Sequence, residues 1–144
     1  MAAKFPTVKK LLKEYGKSVI SEAKTRLRND GKVASGKLLR SLRYEVQETV
    51  DEVTLELSME EYGEYVDQGR EPGKQPPLKK IEKWCKLRGI PKKAAFPIAR
   101  SIGKYGISPT YFWTISTKRR EKQLIRDLEE AYAKDLQNNI KETL

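Results

Sequence analysis

Cys85 is the chain's one cysteine, and the chain has no histidine. A thiolate nucleophile needs a base beside it, so Cys–His catalysis is excluded. The same counts exclude zinc sites built from several Cys or His ligands, and a disulfide within the chain. Cys85 instead reads as a small core residue between Trp84 and the rest of a short helix. Gly69-Arg-Glu-Pro-Gly-Lys74 looks at first like a phosphate loop. It fails as one: three residues separate its glycines, Gln75 follows the lysine where Ser or Thr is required, and no buried strand precedes it. Glu60, Glu61, Glu64 and Asp67 are hard-cation ligands by type, but they lack the alternating ligand spacing of a calcium loop and read as a wet acidic edge. Trp84 and Trp113 could stack on nucleic-acid bases, yet apolar neighbours favour a place in the core. No catalytic constellation, cofactor motif or metal set emerges, and the expectation is a protein that is not an enzyme.

Charge is the remaining chemistry. The 144 residues carry 30 Lys and Arg against 20 Asp and Glu, a formal charge of +10. Such a balance attracts polyanions and keeps the chain soluble without specifying a fold. The charges fall in blocks. Those of residues 4–28 are mostly basic; residues 45–67 hold nine acids and no Lys or Arg; residues 70–93 are basic again. The plain reading is solvated faces. The sharper one is an acidic face on one copy docking a basic face on the next, as in a head-to-tail ring. Lys9, Lys13 and Lys17, with Lys118, Arg119 and Arg120, are the candidate contacts to DNA or an acidic partner.

The elements that must position these groups follow from spacing. Val8, Leu11, Leu12, Tyr15, Val19, Ala23 and Leu27 make a helix over 6–28, with Pro6 in its first turn and Asn29-Asp30-Gly31 ending it. Ser35 can cap a short helical turn over Leu38 and Leu39. Leu42, Tyr44 and Val46, then Val53, Leu55, Leu57 and Met59, alternate at period two around a polar turn. That is an antiparallel hairpin with one buried face and one acidic face. Tyr62, Tyr65 and Val66 form one helical turn ended by Gly69, and Pro72, Pro76 and Pro77 stiffen the loop after it. Leu78, Ile81, Trp84 and Cys85 define a helix closed by Gly89; Ala94 to Lys104 defines another, with Phe96, Ile98, Ala99 and Ile102 inward. Ser108-Pro109 signals a helix start, although Tyr111 to Ile115 fits a strand equally well. From Thr117 one helix is expected to near the end, with Leu124, Leu128, Ala131, Tyr132, Leu136 and Ile140 as its stripe. Lys118, Arg119, Arg120 and Lys122 stand in its first turn, against the helix dipole. The class is α+β: an N-terminal helix, a small antiparallel β-sheet, short helices in a turn-rich middle and a long C-terminal helix. A single domain with one modest core is expected, made of a helical and hairpin part (1–60), a turn-rich core (61–113) and a C-terminal helix (114–144). No run approaches the ~20 apolar residues of a membrane helix, and the first residues show no secretory pattern, so synthesis in a cytoplasm is expected.

Tyr62-x-x-Tyr65-Val66-Asp67-x-Gly69 resembles a pattern of tailed-phage neck and tail-completion (head–tail connector) proteins. Their upstream Ser-Gly-x-Leu-x-x-Ser is matched by Ser35, Gly36, Leu38 and Ser41. The nearest subgroup adds a Pro-Gly-Lys-x-Pro-Pro loop, an Ile/Trp helix, a Gly-Ile step and a Pro-Ile-Ala-Arg-Ser-Ile run. These are matched by Pro72 to Pro77, Ile81 with Trp84, Gly89-Ile90 and Pro97 to Ile102; Gly106-Ile-x-Pro-Thr-x-Phe112 is similar too. The resemblance covers roughly residues 35–113. The chain departs from the wider family at Asp67, where Glu is common, and at Phe112-Trp-Thr-Ile-Ser, where Phe-Leu-x-Pro-Ala is common. The resemblance implies a non-enzymatic virion protein without cofactors. It implies a homo-oligomeric ring, typically of six or twelve copies, in the neck between capsid connector and tail. An adaptor or head-completion protein lies on one side, a tail tube or terminator protein on the other, and genomic DNA passes through the channel. Candidate interface residues are Glu56, Glu64, Asp67, Arg70, Lys74, Lys79 and Lys83, with Glu56 and Glu64 facing Lys79 or Lys83 of the next copy. The alternative is a basic, non-enzymatic nucleic-acid-binding protein.

Overall fold

The computed structural model describes residues 4–30, 36–50 and 52–143. Gly31, Ser35 and Asp51, to which the sequence assigns a helix stop, a cap and part of the acidic block, lie outside them. The fold is α+β. Its elements are α1 (Pro6–Asn29), α2 (Lys37–Ser41), β1 (Arg43–Glu48), β2 (Val53–Ser58), α3 (Gly63–Gln68), α4 (Leu78–Arg88), α5 (Ala95–Tyr105), α6 (Phe112–Lys118) and α7 (Glu121–Thr143). A single 3-10 turn, Lys92–Ala94, precedes α5. The chain divides into two compact units: Met1–Thr25, Leu42–Ser58 and Trp113–Leu144 form the first, Arg26–Ser41 and Met59–Phe112 the second. Each unit contains a buried apolar cluster.

In the first unit, Val8 and Leu12 of α1 and Ala131 of α7 are buried, with Leu124, Leu128, Val46, Val53 and Leu55 packed around them. A lone hairpin is not stable in water, and this one packs its apolar face into that cluster. The register sets Tyr44 opposite Leu57 and Val46 opposite Leu55. Gly16 makes the approach possible: a Cβ there would meet the Tyr44 ring at 2.9 Å and Leu55 at 3.0 Å. A mid-helix glycine costs about 1 kcal/mol in propensity, and here close packing explains it. The first turn of α1 holds no acid of its own. Asp135 of α7 supplies one: its carboxylate accepts from Thr7 N–H at 3.2 Å and Val8 N–H at 3.0 Å, and it is 1% exposed. Asn139, one turn on, accepts from Lys4 N–H and donates to the Lys4 carbonyl.

The choice left open for Tyr111 to Ile115 falls to a helix, since α6 begins at Phe112. One expectation about the last helices is corrected: no single helix starts at Thr117, because the chain breaks at Arg119-Arg120 before α7. Lys118 therefore lies in the last turn of α6, where the dipole favours a cation, and Glu121 opens α7, where it favours an acid. The apolar stripe of α7 is also shorter than its spacing suggests. Leu124, Leu128 and Ala131 pack in the core; Tyr132 meets the Phe5 ring edge to face but is 37% exposed, and Leu136 and Ile140 are 49% and 58% exposed.

In the second unit, Ile81 and Cys85 of α4 and Ala95 and Ala99 of α5 are buried, flanked by Trp84, Ile90, Ile98 and Ile102. Phe96, expected inward, is exposed. The buried face of α5 runs through 95, 98, 99 and 102, and Phe96 sits one helical step off it. The Ser41 hydroxyl stitches the unit's early part together, donating to the Leu38 carbonyl at 2.6 Å and accepting from Glu60 N–H at 3.0 Å.

Candidate docking surfaces

The turn-rich stretch is organised by two glycines in matching roles. Helices α3 and α5 end at Gly69 and Gly106, whose backbones are nearly identical: φ 72°, ψ −168° and φ 73°, ψ −168°. The residues that follow them, Arg70 and Ile107, exchange both backbone hydrogen bonds, at 2.9 and 2.7 Å. Positive φ disfavours any side chain at either glycine. Space forbids one too: a Cβ on Gly69 would lie 2.5 Å from the Ile107 carbonyl oxygen, and one on Gly106 would collide with that of Arg70. The clamp is extended by Thr110 N–H to the Val66 carbonyl, Tyr111 N–H to the Asp67 carbonyl and Gly73 N–H to the Gly103 carbonyl.

Beside the clamp lies an apolar pocket of about 210 Å³, walled by Val66, Pro76, Ile81, Ile102 and Ile107, with Tyr62, Tyr65, Trp84, Lys80 and Arg88 completing it. The Arg88 guanidinium stacks 4.9 Å from the Trp84 ring centre and 5.5 Å from that of Tyr62, and the two rings meet edge to face. The Tyr62 hydroxyl and Arg88 Nε are buried without a hydrogen-bond partner.

The expected interface residues are divided. Glu56 and Glu64 are exposed, as are Lys74, Lys79 and Lys83. Lys83 already meets Glu61 of its own chain at 3.5 Å, and Lys80 meets the same carboxylate at 3.9 Å. These surface pairs are worth little and can exchange for others. Arg70 is half-buried, lying 5.8 Å over the Tyr65 ring and donating to the Lys74 carbonyl. Asp67 is corrected: it is 2% exposed, so it cannot present a charge to a partner. Its carboxylate accepts from Gln68 Nε2 at 2.9 Å, and its carbonyl belongs to the clamp. Glu56 stands directly opposite Glu45 on the outer face of the hairpin. Like charges in that position destabilise a sheet and invite a cation from outside.

The candidate polyanion contacts divide as well. Lys13, Lys17 and Lys118 are exposed. Lys9 holds Glu48 at 3.4 Å. Arg119 and Arg120 converge on Glu22, at 2.9 and 3.4 Å, so the basic cluster is fastened to α1. Tyr15 adds to this join by donating its hydroxyl to the Thr117 carbonyl at 2.6 Å; burial, then the nearby Glu121, push that phenol's pKa up. Cys85 lies in the core, where burial and then Glu82 push its thiol up, the opposite of an activated nucleophile.

Among the described residues no three His, Cys, Asp or Glu gather as metal ligands, and no helix is long and apolar enough to cross a membrane. The sequence reading passed over Glu22, Arg88 and Asp135. Glu22 is one of few acids in a basic helix, and Asp135 and Asn139 continue the face of Ala131 at four-residue steps. Those spacings were the available signals. No protein-family model, curated protein or solved structure matches the chain.

Proposed function

We propose that this chain is a structural protein of a tailed-phage neck, assembling as a ring between the capsid connector and the tail. It works through interfaces rather than catalysis. The observation that carries the reading is the convergence of the motif residues. Gly36, Leu38, Ser41, Tyr62, Asp67, Gly69, Pro72, Gly106 and Phe112 all fall in one compact unit. Several hold the clamp or its supports: Ser41 ties α2 to Glu60, Gly69 and Gly106 flank the bridge, and Phe112 is fully buried. A motif set that jointly specifies one local architecture is a stronger basis for resemblance than matches scattered along a chain. The exposed Glu56, Glu64, Lys79 and Lys83 support the heterologous contact that a ring requires. The nucleic-acid alternative keeps Lys13 and Lys17, but Arg119 and Arg120 are engaged with Glu22.

Sedimentation of the full chain, alone and with fluorescent duplex DNA, tests the reading. A species at ring mass that leaves DNA behind is expected, and Glu64→Lys should weaken it about tenfold by placing like charges at the contact. DNA co-sedimenting with monomeric protein would overturn the reading in favour of the alternative.

A further inference from the structure

The residues that line the pocket beside the clamp describe what it would accept. At about 210 Å³ it exceeds the ~150 Å³ cavity that holds a benzene ring. It has room for an aliphatic side chain together with part of its backbone. Two donors of its lining residues, the Tyr62 hydroxyl and Arg88 Nε, are buried without acceptors, and Tyr62 as a whole is 8% exposed. Buried donors are normally paired, so an occupant bringing acceptors gains more than contact area. Lys80 and Arg88 make the lining cationic. The occupant is therefore apolar at its point, rich in carbonyl or carboxylate oxygens, and acidic in its neighbourhood.

One exposed segment of this chain has that character. The turn between β1 and β2 carries Val50, 70% exposed, between Glu48 and Glu52. The turn is held by Thr49 N–H to the Glu52 carbonyl at 2.8 Å and Glu52 N–H to the Thr49 hydroxyl at 3.2 Å. A loop tied at its base in this way loses less entropy on docking. Val50 and Tyr105 are the most exposed of the large apolar groups, and Tyr105, Phe96 and Ile140 bring the opposite charge. Phe96 is followed at four residues by Arg100, Ile140 is followed by Lys141, and Tyr105 has the Lys104 ammonium 5.1 Å from its ring centre.

We infer that the β1–β2 tip of one copy, led by Val50, enters the pocket walled by Val66, Ile81, Ile102 and Ile107 on the next copy, so that the acidic hairpin meets the basic rim of α4. The contact is heterologous and can be repeated around a ring; it rests on the assembly reading above and gives it a specific interface.

Both ends can be changed without touching a core. Val50→Asp alters the exposed tip, and Lys80→Glu reverses the rim. Each should weaken self-association about tenfold or more. Mixing Val50→Cys chains with Lys80→Cys chains of different length under oxidising conditions should trap a disulfide-linked heterodimer that neither variant alone forms in comparable yield. If wild type and both charge variants assemble alike, the tip-in-pocket contact is overturned and the ring reading stands. If Ile140→Asp abolishes assembly while Val50→Asp does not, the face of α7 is the occupied surface and the inference is again overturned. If wild type stays monomeric and no cross-link forms at about millimolar chain, contact and ring reading fall together.

Discussion

At the scale of single residues, the chain relies on two buried carboxylates whose roles differ from what their types suggest. Asp67 stands in a motif and in an acidic block, which makes it look like a surface charge, yet it is buried beside the clamp. Asp135 stands within an apolar stripe, where it reads as a polar gap, yet it is the N-terminal cap of a helix more than a hundred residues away in sequence. Neither role is legible locally, because the burial of Asp67 and the partners of Asp135 are set by the fold. Cys85, by contrast, was legible: with no histidine in the chain to pair with it, a small residue on an apolar helix face reads as core, and it is buried there. Asp135→Ala leaves the Thr7 and Val8 N–H groups without acceptors in a buried place. It should cost about 1–3 kcal/mol, measured as a lower denaturant midpoint with unchanged slope. Asp135→Asn keeps one acceptor oxygen and should lose less; equal loss from both variants would mean that the cap contributes little.

At the scale of elements, periodicity located most helices and the hairpin, and positive-φ glycines located where several stop. It failed where two elements abut. The break at Arg119-Arg120 has no glycine or proline to announce it. There both arginines meet Glu22, a pairing invisible in sequence spacing. The Gly69–Gly106 clamp is likewise legible only in part: each glycine marks a helix end, but nothing local says that the two ends meet. The clamp gives a graded prediction. Gly89 also has positive φ, at 70°, but nothing lies near its missing Cβ. Gly89→Ala should therefore show backbone strain alone, about 1 kcal/mol, whereas Gly69→Ala and Gly106→Ala add a collision with a backbone carbonyl and should cost about 3 kcal/mol or more. Chemical denaturation of the three variants checks the order. Three equal losses would show that the clamp yields easily, and that the Arg70–Ile107 bridge does not hold the second unit together.

At the scale of the whole molecule, the charge blocks seen in the sequence set how copies of the chain would meet. Each carries a formal +10, so copies repel one another at a distance, while an acidic hairpin and a basic α4 would attract at contact. Salt separates these forces by range. Near 0.1 M the Debye length is about 10 Å, short enough to silence the long-range repulsion but not a partly desolvated contact; near 1 M it is about 3 Å and reaches the contact as well. Self-association driven by the acidic–basic contact should therefore rise from low salt to about 0.1 M and fall toward 1 M. Binding to duplex DNA has no such maximum: its affinity falls throughout, with a log–log slope near −0.9 for each phosphate neutralised. The exposed Tyr132, Leu136 and Ile140 supply a third signature. Were they the main contact, association would rise with added salt and not fall again, because salt screens the repulsion between copies while apolar burial is kept or strengthened. Sedimentation across that range reads all three. A maximum near 0.1 M supports assembly by charge complementarity, and a monotonic rise transfers the assembly contact to α7. A monotonic fall with DNA bound returns the chain to the polyanion reading.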